Sequence, residues 1–294
     1  MKQKIKNIRN NRKIFPYLML FVGVISIGLS AIFVKNANLQ GTVSSFYRYF
    51  FALLCILPIQ IYRGFKNINY KYLIFIVVGG LFFATDLMLW NTSLILIPAT
   101  TATILANNAP IWVGIGTMIF FKKKLSSKYW IGVFASMIGI FLTIGIKSIL
   151  QLQVNIGVIF AIVAGVFYAG YLLITQKSRT QIDTFTFMTI TVLIGTIYTL
   201  LVNIFLGTKL LGHTNFVWLN LIGLGIISHF VGWVAINYSL GHLPASNVSV
   251  TLLGQVLVTT FLAFFIFGEK LQLLQYIGCL ILMTGIYIAN SENR

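Results

Sequence analysis

Ten stretches of mainly apolar residues follow one another along the chain, at 16–34, 42–62, 72–94, 98–121, 129–147, 156–175, 184–205, 216–239, 244–267 and 271–289. A helix needs about 20 such residues to cross the hydrocarbon layer of a bilayer, so the pattern predicts ten transmembrane helices. The connections are short, which makes neighbours antiparallel and leaves no room for a soluble domain. Inside several stretches, polar residues recur at helical spacing: Ser26 and Ser30 in the first, Thr100, Thr103 and Asn107 in the fourth, Tyr168, Tyr171 and Thr175 in the sixth, Asn247, Thr251 and Gln255 in the ninth. Residues three or four apart share one helix face. Polar faces on spans 1, 3, 4, 6, 8 and 9 therefore predict one shared central cavity. Interhelical hydrogen bonding is the competing explanation for any single Ser or Thr.

Composition agrees. Of 294 residues, 58% are hydrophobic and 9% charged, with four acids in all, against about 25% charged in soluble domains. A soluble protein, a disordered chain and a secreted disulfide scaffold are excluded. The +17 net charge does not indicate a nucleic-acid binder, because the basic residues sit at the ends of apolar runs. Cys55 and Cys279 lie inside such runs, which predicts neither a disulfide framework nor a metal cluster. The basic segment before the first run, Lys2 to Lys13, precedes a stretch too long for a signal-peptide core and without a small-residue cleavage site, so a retained helix is expected.

The charges set an expected orientation. With the N-terminus inside, the inner segments hold 16 basic residues, among them Arg63, Lys122, Lys123, Lys124, Lys128, Lys177 and Arg179. The outer loops hold four: Lys35, Lys147, Lys209 and Lys270. Basic residues concentrate in cytoplasmic loops, so both termini are expected in the cytoplasm. The Ile-, Asn- and Lys-rich composition points to a bacterial cell membrane.

The two halves of the chain resemble each other. A shift of 146 pairs Asn91 with Asn237, Ser93 with Ser239, Pro98 with Pro244, Lys124-Leu125 with Lys270-Leu271, Gly132 with Gly278 and Gly139 with Gly285. A shift of 142 pairs Gly28 with Gly170, Lys35 with Lys177 and Thr42 with Thr184. Each half holds five spans, and an odd number makes the second half cross in the opposite sense. The expected organisation is an all-α polytopic membrane protein: a basic tail 1–15, a five-helix repeat 16–148, an inverted five-helix repeat 155–289 and a tail 290–294. Such duplications place the substrate near the midplane.

Three motifs carry a family resemblance. They are Phe46-Tyr47-Arg48-Tyr49-Phe50-Phe51-Ala52, similar to an R-x-x-x-A signature, Asn107-Asn108-Ala109-Pro110-Ile111, and Phe267-Gly268-Glu269-Lys270-Leu271. In order and spacing the chain resembles a ten-helix member of the drug/metabolite transporter superfamily with two EamA-type repeats. Lys123 stands where the first repeat usually has Glu, and Gln255-Val256 where the second usually has Gln-Pro, which leaves the bend of the ninth helix open. The resemblance implies a secondary transporter of small organic molecules, with export the favoured direction; an importer or a passive facilitator is the alternative, and a membrane enzyme on lipid-linked substrates a distant one.

Ionisable residues within a span need a partner or a wet cavity. Asp86 reads either as a proton-coupling or cation-binding carboxylate, or as the structural partner of Arg48. Arg48 itself reads as a structural charge. His229 reads either as a second proton-coupling group or as a neutral core histidine. The expected cavity wall comprises Ser26, Ser30, Asp86, Trp90, Thr103, Asn107, Asn108, Trp112, Tyr168, Tyr171, His229, Trp233, Asn237, Asn247, Thr251 and Gln255. Gly132, Ser136 and Gly139, with Gly278 and Gly285, put small residues on one face of helices 5 and 10, predicting a support seam or a homodimer contact. Asp183 and Glu269 are read as helix-start acids. There is no P-loop, His213, His229 and His242 have no metal-binding spacing, and no catalytic set or cofactor site is apparent. The expected partners are a small-molecule substrate and the lipid bilayer.

Overall fold

The computed structural model describes residues 2–65, 68–97, 99–144, 155–267 and 272–291, with side chains for 14–65, 68–97, 101–143, 155–262 and 272–291. All regular structure among them is helical. Among the described residues nine stretches are long and apolar enough to cross a membrane, and Ser127–Thr143 forms a shorter apolar helix. In chain order the spans are Ile14–Ala37, Gly41–Arg63, Tyr70–Leu96, Thr101–Phe120, Ser127–Ile144, Ile156–Arg179, Thr184–Phe205, Asn215–Leu240, Ala245–Phe267 and Leu273–Asn290. The chain is thus an all-α polytopic membrane protein. The segment expected as an N-terminal tail is helical from Lys2 and continuous with the first span through Pro16. Pro98, residues 145–154, Gly268-Glu269-Lys270-Leu271, residues 292–294 and the side chain of Thr100 lie outside the described residues.

Span starts are fixed by short polar side chains that satisfy the free N–H groups of a first turn. Asn69 accepts from Lys71 N, Asn155 from Gly157 N and Val158 N, and Thr214 from Val217 N. Asp183 accepts from Thr186 N at 3.3 Å and from its hydroxyl at 2.6 Å, so the acid acts as a helix cap. The outer faces carry apolar side chains such as Phe21, Ile61, Phe134 and Leu280, the surface that lipid requires.

Spans 5 and 10 pack along a stripe of small residues. A methyl group added at Gly132 would lie 2.5 Å from Ala289 N and 2.6 Å from the Gly285 carbonyl, and one at Gly139 would lie 2.3 Å from Leu282 N. Gly278 approaches Thr143 N, and Gly285 approaches Ser136 N, equally closely. The glycine faces predicted as a support seam or dimer contact are therefore spent on each other within one chain. Elsewhere, span 3 packs on spans 6 and 7, and span 8 on spans 1 and 2. The largest buried apolar cluster sits where these meet and includes Tyr49, Phe83, Tyr171, Phe187 and Trp233.

A polar cavity at four helix interruptions

Among the described residues four spans are not regular α-helices, and each irregularity includes or adjoins a polar residue. Span 1 breaks at Leu29, between Lys2–Gly28 and Ser30–Ala37. Span 4 breaks at Asn107-Asn108, between Ala99–Ala106 and Ala109–Phe120. Pro110 has no N–H to bond the Ala106 carbonyl, which accounts for that break. Span 9 breaks at Leu253-Gly254, where Leu253 N and Gly254 N bond back only three residues, to Val250 O and Thr251 O. Span 8 is wound as a π-helix over Leu224–Val231, a rare geometry that frequents functional sites. Interruptions free backbone groups, which are tolerated at membrane depth only beside protein or a wet cavity.

The breaks of spans 1, 4 and 9 border a cavity, with the π segment of span 8 ending two residues before its wall residue Trp233; the lining is Ile27, Ser30, Ala31, Arg48, Asp86, Leu87, Trp90, Thr103, Ala106, Asn107, Tyr168, Trp233, Gln255 and Thr259. About 80 Å³ is open to the centres of water molecules, where one water needs roughly 10–15 Å³; the space suits a small molecule. Gln255 Nε2 donates to Asn107 Oδ1 at 3.1 Å, joining the breaks of spans 4 and 9 across the wall. Thr259, one turn beyond Gln255, donates to Gly28 O at 2.8 Å beside the break of span 1. Sequence reasoning missed Thr259, although its spacing of four from Gln255 was the available signal. The floor is aromatic: the Trp233 ring lies 4.3 Å from Phe83, 5.4 Å from Tyr171 and 5.8 Å from Tyr168.

Arg48 and Asp86 both reach this space, yet they do not pair. Among the described residues the ion pair within 4.0 Å is Arg63–Asp183. Arg48 instead donates from Nε to His229 Nδ1 at 3.2 Å and from Nη1 to Ser30 Oγ at 2.8 Å. The reading of Asp86 as a direct structural partner of Arg48 is thereby corrected, because Ser30 and His229 hold the guanidinium elsewhere. A guanidinium only donates, so Nδ1 of His229 is an acceptor and the ring proton lies on Nε2. That Nε2 has no partner among the described residues, and the ring packs 4.6 Å from Tyr49 and 5.4 Å from Phe83. Protonating His229 at Nδ1 would set two donors face to face.

Of the expected wall residues, the cavity gathers Ser30, Asp86, Trp90, Thr103, Asn107, Tyr168, Trp233 and Gln255, together with Arg48. The others lie elsewhere. Trp112 is 39% exposed on the outer surface. Asn108 turns toward span 6, donating to the carbonyls of Leu105 and Ile162. Tyr171 donates to Asn237 Oδ1 at 3.0 Å beneath the cavity. Asn237 Nδ2 bonds Trp233 O. Ser26 packs against Gly232 of span 8. Thr251 donates to Asn247 O and accepts from Asn290 of span 10, and Asn247 Oδ1 accepts from Ser246. Each helix break resets the phase, so residues in line on an unbroken helix point apart.

Comparison with known proteins agrees with this architecture. The EamA-like transporter family matches the chain twice, at residues 14–145 and 155–291. An uncharacterized transporter of Archaeoglobus fulgidus is 23% identical over 273 residues, covering 93% of this chain and 95% of its own. The uncharacterized transporter YwfM of Bacillus subtilis is 24% identical over 67% of this chain and 66% of its own. An S-adenosylmethionine uptake transporter of Rickettsia bellii is 23% identical over 34% of each chain. A solved crystal structure at 14% identity superposes with a TM-score of 0.80 over 94% of this chain and 96% of its own, which shows the shared fold. With both halves matched, the chain belongs to the EamA-like transporter family and is a membrane transporter rather than an enzyme.

Proposed function

We propose that the protein is a secondary-active transporter that carries a small polar or amphipathic metabolite across the bacterial cell membrane by alternating access. The carrying observation is the polar cavity at the meeting of broken spans 1, 4 and 9 with spans 3, 6 and 8. Two inverted repeats, 16–148 and 155–289, form it. The seam supports this inversion: Gly132 against Gly285 becomes Gly278 against Gly139 when each residue is exchanged for its counterpart 146 positions away, as a twofold axis in the membrane plane requires.

The cavity draws on the later parts of spans 1 and 3 and the early parts of spans 2 and 4, so it is displaced toward the end of the bundle opposite the N-terminus. At the other end Arg179 Nε donates to Asn237 O at 3.1 Å, Gln176 Oε1 accepts from Ala245 N at 2.7 Å, and Ser239 donates to Pro16 O at 2.8 Å. With both termini cytoplasmic, these bonds close the cytoplasmic side.

Export is the direction favoured by the family resemblance. Import is the second reading, favoured by the Rickettsia relative named for uptake. Purified protein in liposomes tests both, with amino acids, nucleobases, vitamins and cationic dyes offered on either side of a proton gradient. Saturable counterflow of one class is expected, absent in Asp86→Asn. Flux of no class under any gradient, or flux without saturation, overturns the carrier reading.

A further inference from the structure

We infer that the cavity is built for a zwitterion, with Arg48 binding the anionic group and Asp86 the cationic one. The inference rests on the carrier reading and adds the substrate's charge pattern. Arg48 is 2% exposed and Asp86 7%, so both opposite charges are withdrawn from bulk water. A buried charge is costly unless it is paired. The simplest economy would be an ion pair, and the structure avoids it. Ser30 and His229, from spans 1 and 8, take the Nη1 and Nε hydrogens of Arg48 and hold the guanidinium off the carboxylate.

What remains unused faces the cavity. Among the described residues Arg48 Nη2 and both Asp86 oxygens have no hydrogen bond, and none of them belongs to the fully covered polar atoms that lack partners. They are available and in contact with open space. A ligand bearing one charge would leave the other uncompensated. A ligand bearing both satisfies the site without adding net charge to the membrane interior. Trp90, one turn after Asp86 and also on the wall, offers a ring face to the cationic group. Ser30 and His229 are positioning residues: they touch Arg48, and their task is to keep the two charges apart.

The test uses the full-length protein in detergent, followed by thermal unfolding and by equilibrium binding. The probes are glycine, β-alanine, γ-aminobutyrate, phenylalanine and glycine betaine, each beside its methyl ester and, where an amine is free, its N-acetyl derivative. At least one zwitterion is expected to stabilise the wild type, and its ester and N-acetyl forms to bind at least tenfold more weakly. In Asp86→Asn the N-acetyl anion is expected to bind no more weakly than the zwitterion. In Arg48→Gln the same holds for the ester cation. This crossed change of preference is one that a folding defect does not produce, and size-exclusion profiles report folding separately. Equal binding of zwitterion and blocked forms by the wild type overturns the inference, as does silence across the panel. Saturable liposome flux of singly charged or uncharged compounds alone would sink the zwitterion and leave the carrier standing.

Discussion

Arg48 is the residue whose surroundings decide the most. Its Nε–H is buried against a single acceptor, His229 Nδ1, and a buried donor left without an acceptor costs about 1–3 kcal/mol. His229→Leu is therefore expected to lower the thermal unfolding temperature and to release the guanidinium toward Asp86. His229→Gln keeps an acceptor within reach and is expected to recover most of the loss. Equal stability of the two variants would show that the bond is idle. The aromatic residues divide more simply. Trp90 lines the cavity while Trp112 is on the outer surface, so Trp90→Ala is expected to raise the transport KM at least several-fold and Trp112→Ala to change it less than about twofold, for a loss of roughly 1 kcal/mol against none. The sequence had put both in one wall, because depth along a span is legible from position but direction around it is not.

Direction is decided by the elements, and here irregular winding outweighs periodicity. Expectations held in the unbroken span 3, where Asp86 and Trp90 share a face as their spacing requires. At the breaks of spans 1 and 9 the predicted face divided, with Ser30 and Gln255 reaching the cavity and Ser26, Asn247 and Thr251 not. Gln255 lies beyond Gly254, so it joins the cavity while Thr251 and Asn247 turn to other partners. The break in span 4 was readable from Pro110. No residue type announces the break in span 9 or the π-helix over Leu224–Val231. The seam of spans 5 and 10 was legible as small residues at helical spacing, but a stripe does not name its partner. With backbone atoms 2.3–2.8 Å from any added Cβ, neither Gly139 nor Gly285 has room for a side chain. Gly139→Leu is expected to cost at least about 1–3 kcal/mol, read as a lower unfolding temperature in detergent. Gly64, with nothing near its Cβ position, is the control: Gly64→Ala meets only the strain of φ +72° and is expected to cost less.

For the whole molecule, the number and ends of the spans were legible because bilayer thickness and the free N–H groups of helix starts impose them residue by residue. Which end of the bundle is closed was not legible, since it depends on contacts between residues far apart in the chain. Arg179 bonds the Asn237 carbonyl and, at 2.6 Å, Thr184, while Gln176 bonds Ala245 N. At the cavity end the spans are joined by Gln255 to Asn107, Thr259 to Gly28 O, Arg48 to Ser30 and Asn203 to Thr42 O. A carrier that alternates must break the first set to open at that end, the cytoplasmic one in the orientation proposed. Interhelical bonds in membranes are worth about 0.6–1.7 kcal/mol each, so removing two of them moves a two-state balance by roughly 8- to 300-fold. The arrangement is testable in whole cells with a membrane-impermeant thiol reagent, on a background of Cys55→Ala and Cys279→Ala. Thr259→Cys is expected to react from the outside. Adding Arg179→Ala and Gln176→Ala is expected to slow that reaction by shifting the population toward the inward-open form. Labelling at an unchanged rate would mean that these bonds do not hold the closed end, and that the side on which the cavity opens is set by other contacts.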